Sequence, residues 1–341
     1  MRALFYDEQK GPQGIKIGDF PVPEISESEV LVRVKAFSLN HLDAWVMNGN
    51  YPANIELPHI FASDAAGIVD KVGKNVQFIK PADEVIVFPG LSCGHCERCL
   101  AGRDNECNSF HILGVATHGV SAEYVKVPAE NVFKKKTNLS FEEAACLGIT
   151  YTTAWNSLVV RTGIRQGDTV LIHAASSGAS TALIQVAKLY NAAVITTVGD
   201  DWKVSKAKLL GADVVINYGH EDFVESIKRV TKGALVDIAV DHVGSATINK
   251  SLACIKRGGT LVTFGNTSGD QVNISLRYLF GKNLRLQGVY VGPKHVVPEY
   301  LNLIPEKLKP VIDSIFSFTD AQKAYEKLLS RQFFGKIVVT V

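Results

Sequence analysis

An alternation of apolar runs with amphipathic segments, in the second half of the chain, most constrains its fold. Six apolar runs predict strands: TVLIHAA at 169–175, AAVITTVG at 192–199, DVVIN at 213–217, VDIAVD at 236–241, GTLVTFG at 259–265 and LRLQGVYV at 284–291. Segments with helical spacing, such as STALIQVAKLY and WKVSKAKLLG, lie between several of them. Strands that alternate with helices indicate an α/β fold built on a doubly wound parallel sheet.

The first 150 residues have a different pattern. Short alternating or apolar runs, such as EVLVRVKAFSLN and DEVIVFPG, are separated there by Gly, Pro and Asp. They predict a small barrel-like β domain. After about residue 298 the chain ends in a predicted helix, TDAQKAYEKLLS, and a final strand, GKIVVTV. We therefore divide the chain into residues 1–150, 151–297 and 298–341.

The charge balance argues against several classes of partner. The 341 residues include 36 basic and 34 acidic side chains, for a net charge of +2, and long runs of one sign are absent from the sequence. This pattern gives no indication of nucleic-acid binding. The N-terminus lacks the apolar core of a signal peptide, and no uninterrupted apolar segment is long enough to span a bilayer. We expect a cytoplasmic protein without nucleic-acid or membrane partners.

Four of the six cysteines, Cys93, Cys96, Cys99 and Cys107, fall in the segment CGHCERCLAGRDNEC. In a reducing compartment such a cluster indicates a metal site rather than disulfides. Ferredoxins place three residues before their last cysteine, whereas seven precede Cys107, so zinc is favoured. Four reduced thiols without metal are the alternative. Four thiolates fill a tetrahedral ion, so the predicted zinc is structural and has no open position for a substrate.

The first strand-to-helix turn of the predicted sheet is where a dinucleotide pyrophosphate is expected, because backbone N–H groups and a helix N-terminus attract anions there. The sequence AASSGAS has one glycine where a G-x-G-x-x-G pattern would have three. Small residues still permit close approach, and serine hydroxyls add hydrogen-bond donors. The predicted cofactor-binding residues of this turn are Ser176, Ser177, Gly178, Ala179 and Ser180. A generic strand-to-helix turn is the alternative.

The chain resembles the medium-chain dehydrogenase/reductase superfamily, the zinc-type alcohol dehydrogenases and their quinone-oxidoreductase relatives, over nearly its whole length. The matching features are NHLDAWVMNGNYP, PHIFASDAAGIVDKVG, the four-cysteine segment, AEYVKVP, ITYTTAW, the dinucleotide turn and FGKIVV. The resemblance implies a GroES-like catalytic domain, a Rossmann domain, a C-terminal segment that returns to the catalytic domain, and an active site in the cleft between the domains. It also implies that the four cysteines form that family's structural zinc site.

The chain departs from the family where the resemblance would place a catalytic zinc. The family's ligands are a cysteine, a histidine followed by glutamate, and usually a second cysteine; these positions carry Asn40, Ser63 followed by Asp64, and Cys146. An amide and a hydroxyl are poor substitutes for thiolate and imidazole, so we expect one zinc per chain. We interpret Cys146 as a small buried apolar side chain on a helix, FEEAACLGI.

Hydride chemistry without a Lewis acid needs other hydrogen-bond donors beside the substrate. Asn40, Asp43 and Tyr51 match positions that line the cleft in quinone-oxidoreductase relatives, where an amide or phenol can donate to a carbonyl. The alternative for Asp43 is that it braces its loop, and for Tyr51 that it is a surface turn residue. Thr150 matches a position beside the nicotinamide; its alternative is a hydroxyl bonded to its own helix backbone.

The segment VGDDWK bears on the choice between NADH and NADPH. NAD-specific Rossmann enzymes end their second strand with an acidic residue that binds the ribose 2′-hydroxyl, and here that position is Val198. Lys203 and Tyr218 match positions that hold the 2′-phosphate in relatives that use NADPH, so NADPH is favoured. A solvated helix charge and a packing residue are their alternatives, and the two aspartates keep NADH open. Gly265, at the end of the fifth predicted strand, completes the predicted cofactor-binding residues.

These residues predict NAD(P)H-dependent reduction of a quinone, or of a double bond conjugated to a carbonyl, without catalytic zinc. The alternatives are a zinc-dependent alcohol dehydrogenase with an unusual ligand set and a non-catalytic protein that senses NADPH. The expected partners are a small-molecule carbonyl or quinone and further copies of the chain. The apolar run LRLQGVYV would be the sheet edge that joins those copies in a dimer or tetramer.

Overall fold

The structure is a computed structural model that describes residues 1–52 and 54–341. In chain order its strands are β1 Arg2–Tyr6, β2 Lys16–Asp19, β3 Glu29–Ser38, β4 His59–Ile60, β5 Asp64–Val72, β6 Glu84–Val87, β7 Gly90–Leu91, β8 His111–Ile112, β9 Tyr124–Pro128, β10 Val132–Lys134, β11 Thr169–Ile172, β12 Ala193–Val198, β13 Val214–Asn217, β14 Val236–Val240, β15 Ile255–Thr263, β16 Arg285–Gly288, β17 Ile312–Ser317 and β18 Lys336–Thr340. Its α-helices are α1 His41–Met47, α2 Glu97–Leu100, α3 Phe141–Ala144, α4 Gly148–Trp155, α5 Gly178–Leu189, α6 Asp201–Leu209, α7 Phe223–Val230, α8 Ile248–Cys254, α9 Leu276–Lys282, α10 Val297–Leu301 and α11 Ala321–Ser330. Within this described part of the chain, no helix is both long and apolar enough to cross a membrane.

The chain forms two compact units. The first unit combines Met1–Thr150 with Pro293–Val341, and the second is Tyr151–Gly292. The C-terminal segment therefore joins the first unit at Pro293 rather than at the predicted residue 298. The reason is local: the backbone N–H of Lys294 already donates to the carboxylate of Asp104, at 3.0 and 3.2 Å.

The second unit contains a six-stranded sheet in the order β13-β12-β11-β14-β15-β16, with every neighbouring pair parallel. This is the strand order of a Rossmann fold, and the six predicted strands are confirmed. The last strand ends at Gly288, earlier than predicted. Buried side chains of helices α7 and α8, such as Ile227 and Leu252, pack with Leu261 of the sheet in one apolar cluster.

The first unit contains a mixed barrel-like sheet in the order β10-β6-β5-β3-β18-β17, and β9 also pairs with β3. Its strand pairs are antiparallel except for β17 and β18, which are parallel. Its register brings distant residues together. Ser38, at the end of β3, pairs with Asp64 on β5 and with Val338 on β18. Asn40 follows Ser38 by two residues, and Lys336 precedes Val338 by two residues on the antiparallel strand. Asn40, Asp64 and Lys336 consequently meet at one end of this sheet.

The predicted continuous helix FEEAACLGI is wrong. Helix α3 ends at Ala144 and α4 begins at Gly148, which leaves Cys146 between them. Side chains from the sheet hold the break: Ser38 Oγ donates to the Ala145 carbonyl at 2.8 Å, and Ile149 N donates to Asp64 Oδ1 at 2.8 Å. A Cβ at Gly148 would lie 2.3 Å from Asp64 Oδ1, so the close approach requires glycine.

Candidate active site and metal centre

The four cysteines of the predicted zinc site converge in the first unit. Their Sγ atoms all lie within 4.8 Å of one another. The shorter separations are 3.5 Å from Cys96 to Cys99, 3.6 Å from Cys93 to Cys107 and 3.9 Å from Cys93 to Cys99. Four sulfurs about 2.3 Å from a tetrahedral zinc would be about 3.8 Å apart. The thiols therefore fit a structural zinc, which would have all four of its positions filled by the protein.

The segment around these cysteines, residues 93–107, is called the zinc lobe below. Hydrogen bonds from the backbone of Cys93 and Ser109 lower the pKa of the Cys107 thiol to about 6, and Ser109 N lies 3.4 Å from its Sγ. A lower thiol pKa favours the thiolate that zinc binds. Asp104 also fastens the lobe to the C-terminal segment through the Lys294 backbone N–H.

Asn40, Asp64 and Lys336 form a hydrogen-bonded cluster at the end of the first unit's sheet. Lys336 Nζ lies 2.7 Å from Asn40 Oδ1, 2.8 Å from the Leu39 carbonyl oxygen and 3.4 Å from Asp64 Oδ2. Asn40 Nδ2 donates to Asp64 Oδ2 at 2.8 Å. Asp64 is completely buried, and the Lys336 side chain is 5% exposed. The cluster therefore pairs a buried ammonium with a buried carboxylate through an amide that is itself half-buried.

Ser63 and Cys146 occupy the other two positions at which the resemblance implied zinc ligands. The Ser63 hydroxyl donates to the Leu113 carbonyl at 2.7 Å, and the Cys146 thiol donates to the Glu142 carbonyl at 3.2 Å. Burial raises the pKa of the Cys146 thiol to about 12, which disfavours the thiolate. Among the residues that the structure describes, the zinc lobe is the one group of His, Cys, Asp or Glu close enough to hold a metal ion. The residues at Asn40, Ser63 and Cys146 do not fit a catalytic zinc.

Asp43 lies in the first turn of helix α1 and braces Asn40, the N-cap residue of that helix. Its Oδ2 accepts the Asn40 backbone N–H at 2.8 Å in a capping box, and the Tyr325 hydroxyl donates to the same oxygen at 3.4 Å. The residue is 1% exposed. Among the described residues, its other oxygen has no hydrogen-bond partner. We therefore interpret Asp43 as a positioning residue, the alternative that the sequence left open, rather than a residue that touches substrate.

Asp43 is expected to make folding stability depend on pH. Burial raises its pKa from 3.8 to about 7, against the lowering effects of the Asn40 N–H and of Lys336. The unfolded chain loses this proton near pH 4 while the folded chain keeps it, so the group's stabilisation is complete below pH 4. The stabilisation then declines as pH rises to about 7, by up to about 4 kcal/mol.

Asp43→Asn should remove this decline, because an amide does not ionise but can still accept the Asn40 N–H. Denaturant titrations of the wild type and the variant at pH 4, 5.5 and 7 measure the effect. The unfolding free energy of the wild type relative to the variant should fall with rising pH. A difference that stays constant over this range would contradict the raised pKa.

Tyr51 and Thr150 are the remaining predicted site residues of the first unit. Tyr51 lies half-buried in a bend that follows α1. The hydroxyl of Thr150 donates to the Cys146 carbonyl at 2.7 Å, which is the backbone bond proposed as its alternative. Thr150 is 4% exposed. The Thr150 hydroxyl therefore has a partner within the protein, and the role of Tyr51 stays a prediction.

The predicted phosphate turn begins helix α5 in the second unit. Ser177 is the N-cap residue, and its hydroxyl accepts the Ser180 N–H at 3.0 Å. Ser180 is completely buried, and its hydroxyl donates to the His173 carbonyl at 2.8 Å, which fastens α5 to the end of β11. The Ser180 hydroxyl thus packs α5 closely against the strand, and a role of Ser180 in binding the cofactor stays a prediction. The first-turn N–H groups of Gly178 and Ala179, with Ser176 before the cap, remain the groups suited to an anion.

The predicted 2′-phosphate residues each contact the segment that follows strand β12. A Cβ on Gly199 would lie 2.5 Å from the Tyr218 hydroxyl, so the phenol closely covers the residue that follows Val198. Lys203 Nζ pairs with Asp200 Oδ2 at 2.7 Å, and the lysine side chain is 7% exposed. The ammonium is therefore held by a carboxylate, not solvated as its alternative proposed. Gly265 follows β15, with its Cα side packed against the backbone of His242.

Sequence reasoning missed Asp64 and Lys336 as members of the candidate site. Both lie in segments that carry the resemblance to the family. Their contact, however, joins residues that are 272 positions apart in the sequence. The signal that could have indicated a role for Lys336 was its position directly before the apolar run IVV of the final strand. A lysine in such a strand is buried only when it is paired.

Comparison with known proteins decides the family. Residues 26–137 match the family described as "Alcohol dehydrogenase GroES-like domain", and residues 178–306 match "Zinc-binding dehydrogenase". A solved structure described as an NAD-dependent alcohol dehydrogenase is 42% identical, with a TM-score of 0.96 and all of both chains covered. The chain belongs to the medium-chain dehydrogenase/reductase superfamily. As a member of this superfamily it is an NAD(P)-dependent oxidoreductase.

Two further relatives have names that point to other substrates within this superfamily. Quinone oxidoreductase 1 of Escherichia coli is 30% identical over 96% of this chain and 95% of its own length. Acryloyl-coenzyme A reductase of Sulfurisphaera tokodaii is 29% identical over 99% of each chain. Members of the superfamily similar to this chain therefore differ in substrate, and the site residues have to decide the class.

Proposed function

We propose that this oxidoreductase uses a reduced nicotinamide cofactor to reduce quinones or α,β-unsaturated carbonyl compounds, and that it needs no catalytic zinc. The observation that carries the proposal is the Lys336 ammonium bonded to Asn40 and Asp64. A cation already lies among the residues that would have to approach a metal ion, and the Asn40 oxygen is occupied by it. The names of the quinone and acryloyl-coenzyme A reductases support the same substrate class.

The chemistry suits a site whose donors are neutral. A reduced nicotinamide, when bound, would supply a hydride to the carbon β to the carbonyl of the substrate. The resulting negative charge would be delocalised onto the carbonyl oxygen. Asn40 donates one Nδ2 hydrogen to Asp64, and its other Nδ2 hydrogen is the proposed donor to this oxygen. The Tyr51 hydroxyl is a second candidate donor. Water supplies the proton that completes the saturated carbonyl or the hydroquinone.

A simple ketone is a harder substrate for the same donors. Its reduction places the negative charge on one oxygen without delocalisation, and a single well-placed donor stabilises such an oxyanion by roughly 3 to 4 kcal/mol. A zinc ion would supply several kcal/mol more. Alcohol oxidation runs through the same alkoxide, and it is the second candidate function because the 42% identical structure is described as an alcohol dehydrogenase.

A substrate panel tests the proposal. We expect oxidation of NADPH with 2-cyclohexenone, methyl vinyl ketone or a benzoquinone, and little reduction of NADP⁺ or NAD⁺ with ethanol or benzyl alcohol. Rates should be unchanged by brief treatment with a chelator that leaves the zinc lobe loaded. Strong alcohol oxidation that the chelator abolishes, with no turnover of conjugated acceptors, would establish the second candidate instead.

We further propose that NADPH is the preferred cofactor. Lys203 and Tyr218 supply a cation and a phenol beyond the end of β12, and Val198 supplies no carboxylate to repel a phosphate. Asp200 opposes this preference, because it lies against the Lys203 ammonium. The net effect depends on the ammonium remaining closer to the 2′-phosphate than the carboxylate does.

Substitutions in this region should therefore change cofactor preference in opposite directions. Lys203→Ala is expected to weaken NADPH binding by roughly tenfold or more and NADH binding by less, since it removes a charge-assisted hydrogen bond. Asp200→Asn should strengthen NADPH binding. The matched control is Lys206→Ala, which removes another lysine of α6. The Lys206 Nζ lies 5.0 Å from the centre of the Trp202 ring, and the Lys203 Nζ lies 5.2 Å from the same centre. Dissociation constants from cofactor fluorescence measure all three, and equal or tighter binding of NADH by the wild type would contradict the preference.

We also propose that two copies of the chain associate through strand β16. This strand is at the edge of the second unit's sheet, and Leu286 on it is 47% exposed. Leu276 and Phe280 on the neighbouring helix α9 are 72% and 69% exposed. An apolar edge of this kind suits pairing with a second copy across a twofold axis. Light scattering should give the mass of a dimer or tetramer, and Leu286→Lys should lower it.

A further inference from the structure

Lys336 is buried beside Asn40 and Asp64, and its hydrogen bonds indicate a role in the reaction. We propose that Lys336 is a positioning residue: with Asp64, it fixes the Asn40 amide in the single orientation that leaves one N–H for the substrate oxygen. The inference rests on the proposed function, since it assumes that Asn40 donates to substrate. Lys336 itself lies too deep to touch substrate, with its side chain 5% exposed.

The orientation of the amide follows from the chemistry of its two neighbours. An ammonium has only donors, so the amide atom that lies 2.7 Å from Lys336 Nζ must be the oxygen. An ionised carboxylate has only acceptors, so the amide atom that lies 2.8 Å from Asp64 Oδ2 must be the nitrogen. The two requirements agree. The opposite orientation would place the amide NH₂ against the ammonium and the amide oxygen against the carboxylate.

Within this cluster, one hydrogen of the Asn40 amide donates to no other member. Lys336 has three N–H bonds and three acceptors, at the Leu39 carbonyl, Asn40 Oδ1 and Asp64 Oδ2. The other oxygen of Asp64 accepts the Ile149 N–H at 2.8 Å. Of the two hydrogens on Asn40 Nδ2, one goes to Asp64, and the second belongs to a residue that is only half-buried. An accessible substrate oxygen could therefore meet this hydrogen but not the amide oxygen.

The ammonium also makes that donor stronger. A hydrogen bond from a cation to an amide oxygen draws electron density from the nitrogen, and its N–H groups then donate more strongly. Lys336 thus transmits part of its positive charge to the substrate oxygen through Asn40. Lys336 would thus stabilise negative charge on the substrate oxygen indirectly, and more weakly than a metal ion in direct contact with that oxygen.

A double-mutant cycle separates this role from a merely structural one. Lys336→Met should lower kcat for enone reduction by roughly 10- to 100-fold, as loss of positioning does, with a smaller change in KM. Lys336→Arg should recover most of that loss, because it keeps the charge and the donors. If Lys336 acts through Asn40, adding Lys336→Met to Asn40→Ala should cost little more, whereas independent contributions would multiply.

A control variant and a substitute variant separate the proposed role from a loss of folding. Lys135 is also a buried lysine, 3% exposed, which pairs with Glu84 at 2.8 Å and donates to the Leu139 carbonyl at 2.7 Å. Lys135→Met should leave kcat within about twofold, so it reports what losing any buried lysine costs. Should Lys336→Met fail to fold, Lys336→Gln, which keeps a donor but loses the charge, takes its place in the cycle.

A spectroscopic measurement tests the orientation without turnover. In protein labelled with ¹⁵N-asparagine, the Asn40 side-chain signal is assigned by its loss in Asn40→Ala. We expect two well-separated Nδ2 proton signals, one slow to exchange with water, in the wild type and in Lys336→Arg. They should converge and exchange faster in Lys336→Met or Lys336→Gln.

The outcomes distinguish this inference from the function on which it rests. If Asn40→Ala alone leaves enone reduction unchanged, the role of Asn40 in the proposed function fails, and the inference fails with it. If Asn40→Ala lowers kcat but Lys336→Met or Lys336→Gln does not, or if the two costs multiply, the positioning role is overturned while the proposed function stands.

Discussion

Replacing Cys107 with serine should release the zinc and lower the free energy of unfolding by more than about 4 kcal/mol, the range in which loss of a structural metal falls. The four sulfurs have separations that fit a single tetrahedral ion, so the loss of one ligand leaves three thiolates that repel one another. The zinc lobe is also bonded to the C-terminal segment through Asp104 and Lys294, so loosening should spread beyond the lobe. Elemental analysis and denaturant titration measure the two effects.

The other cysteines provide the controls for this prediction. Cys146→Ala and Cys254→Ala each remove a buried thiol outside the zinc lobe, and both variants should keep one zinc per chain. Their losses of stability should be those of a small cavity, about 1 kcal/mol. Retention of zinc by Cys107→Ser would contradict the assignment of the lobe. Two zinc ions in the wild type, with one lost in Cys146→Ala, would show that a catalytic metal site had been misread.

Replacing Asn40 with alanine should lower kcat for enone reduction by roughly 10²- to 10³-fold, the cost of removing one donor from a developing oxyanion. The reason is that the unspent Nδ2 hydrogen is expected to bond more strongly in the transition state than in the bound ground state, so KM should change less. Steady-state kinetics with 2-cyclohexenone and a benzoquinone measure the effect. Thermal unfolding should accompany them, because Asn40 also caps helix α1.

Ser63→Ala is the matched control for Asn40→Ala. Ser63 stands at another position where a zinc enzyme of the family would have a ligand, but its hydroxyl is buried and donates to the Leu113 carbonyl. Its removal should change kcat by less than about threefold. Equal losses in the two variants would mean that the region contributes to folding in general and that Asn40 has no particular role in the reaction.

Much of the fold could be predicted because it depends on local pattern. The six strands of the second unit are apolar runs bounded by Gly, Asp and Asn, and the four cysteines lie within fifteen residues of one another. Both patterns carry their physical cause in the sequence: burial on both faces of a parallel sheet, and the small span of a tetrahedral metal site.

The parts that were missed depend on contacts between distant residues. The bond from the Ser180 hydroxyl to the His173 carbonyl depends on how closely α5 packs on β11, and this is not visible in AASSGAS. The break between α3 and α4 comes from Asp64, which reaches the Ile149 N–H across 85 positions of sequence. Lys336 reaches Asn40 only through the register of β18 on β3. Long-range pairing of this kind leaves no local pattern to read.

The rate of enone reduction as a function of zinc content per chain tests the central claim most directly. Protein prepared with different amounts of zinc is analysed for metal and assayed with NADPH and 2-cyclohexenone. We predict that activity reaches its full value at one zinc per chain and does not change when more zinc is added. Activity that appears only as a second equivalent binds, and that is lost in Cys146→Ala, would contradict hydride transfer without a catalytic metal.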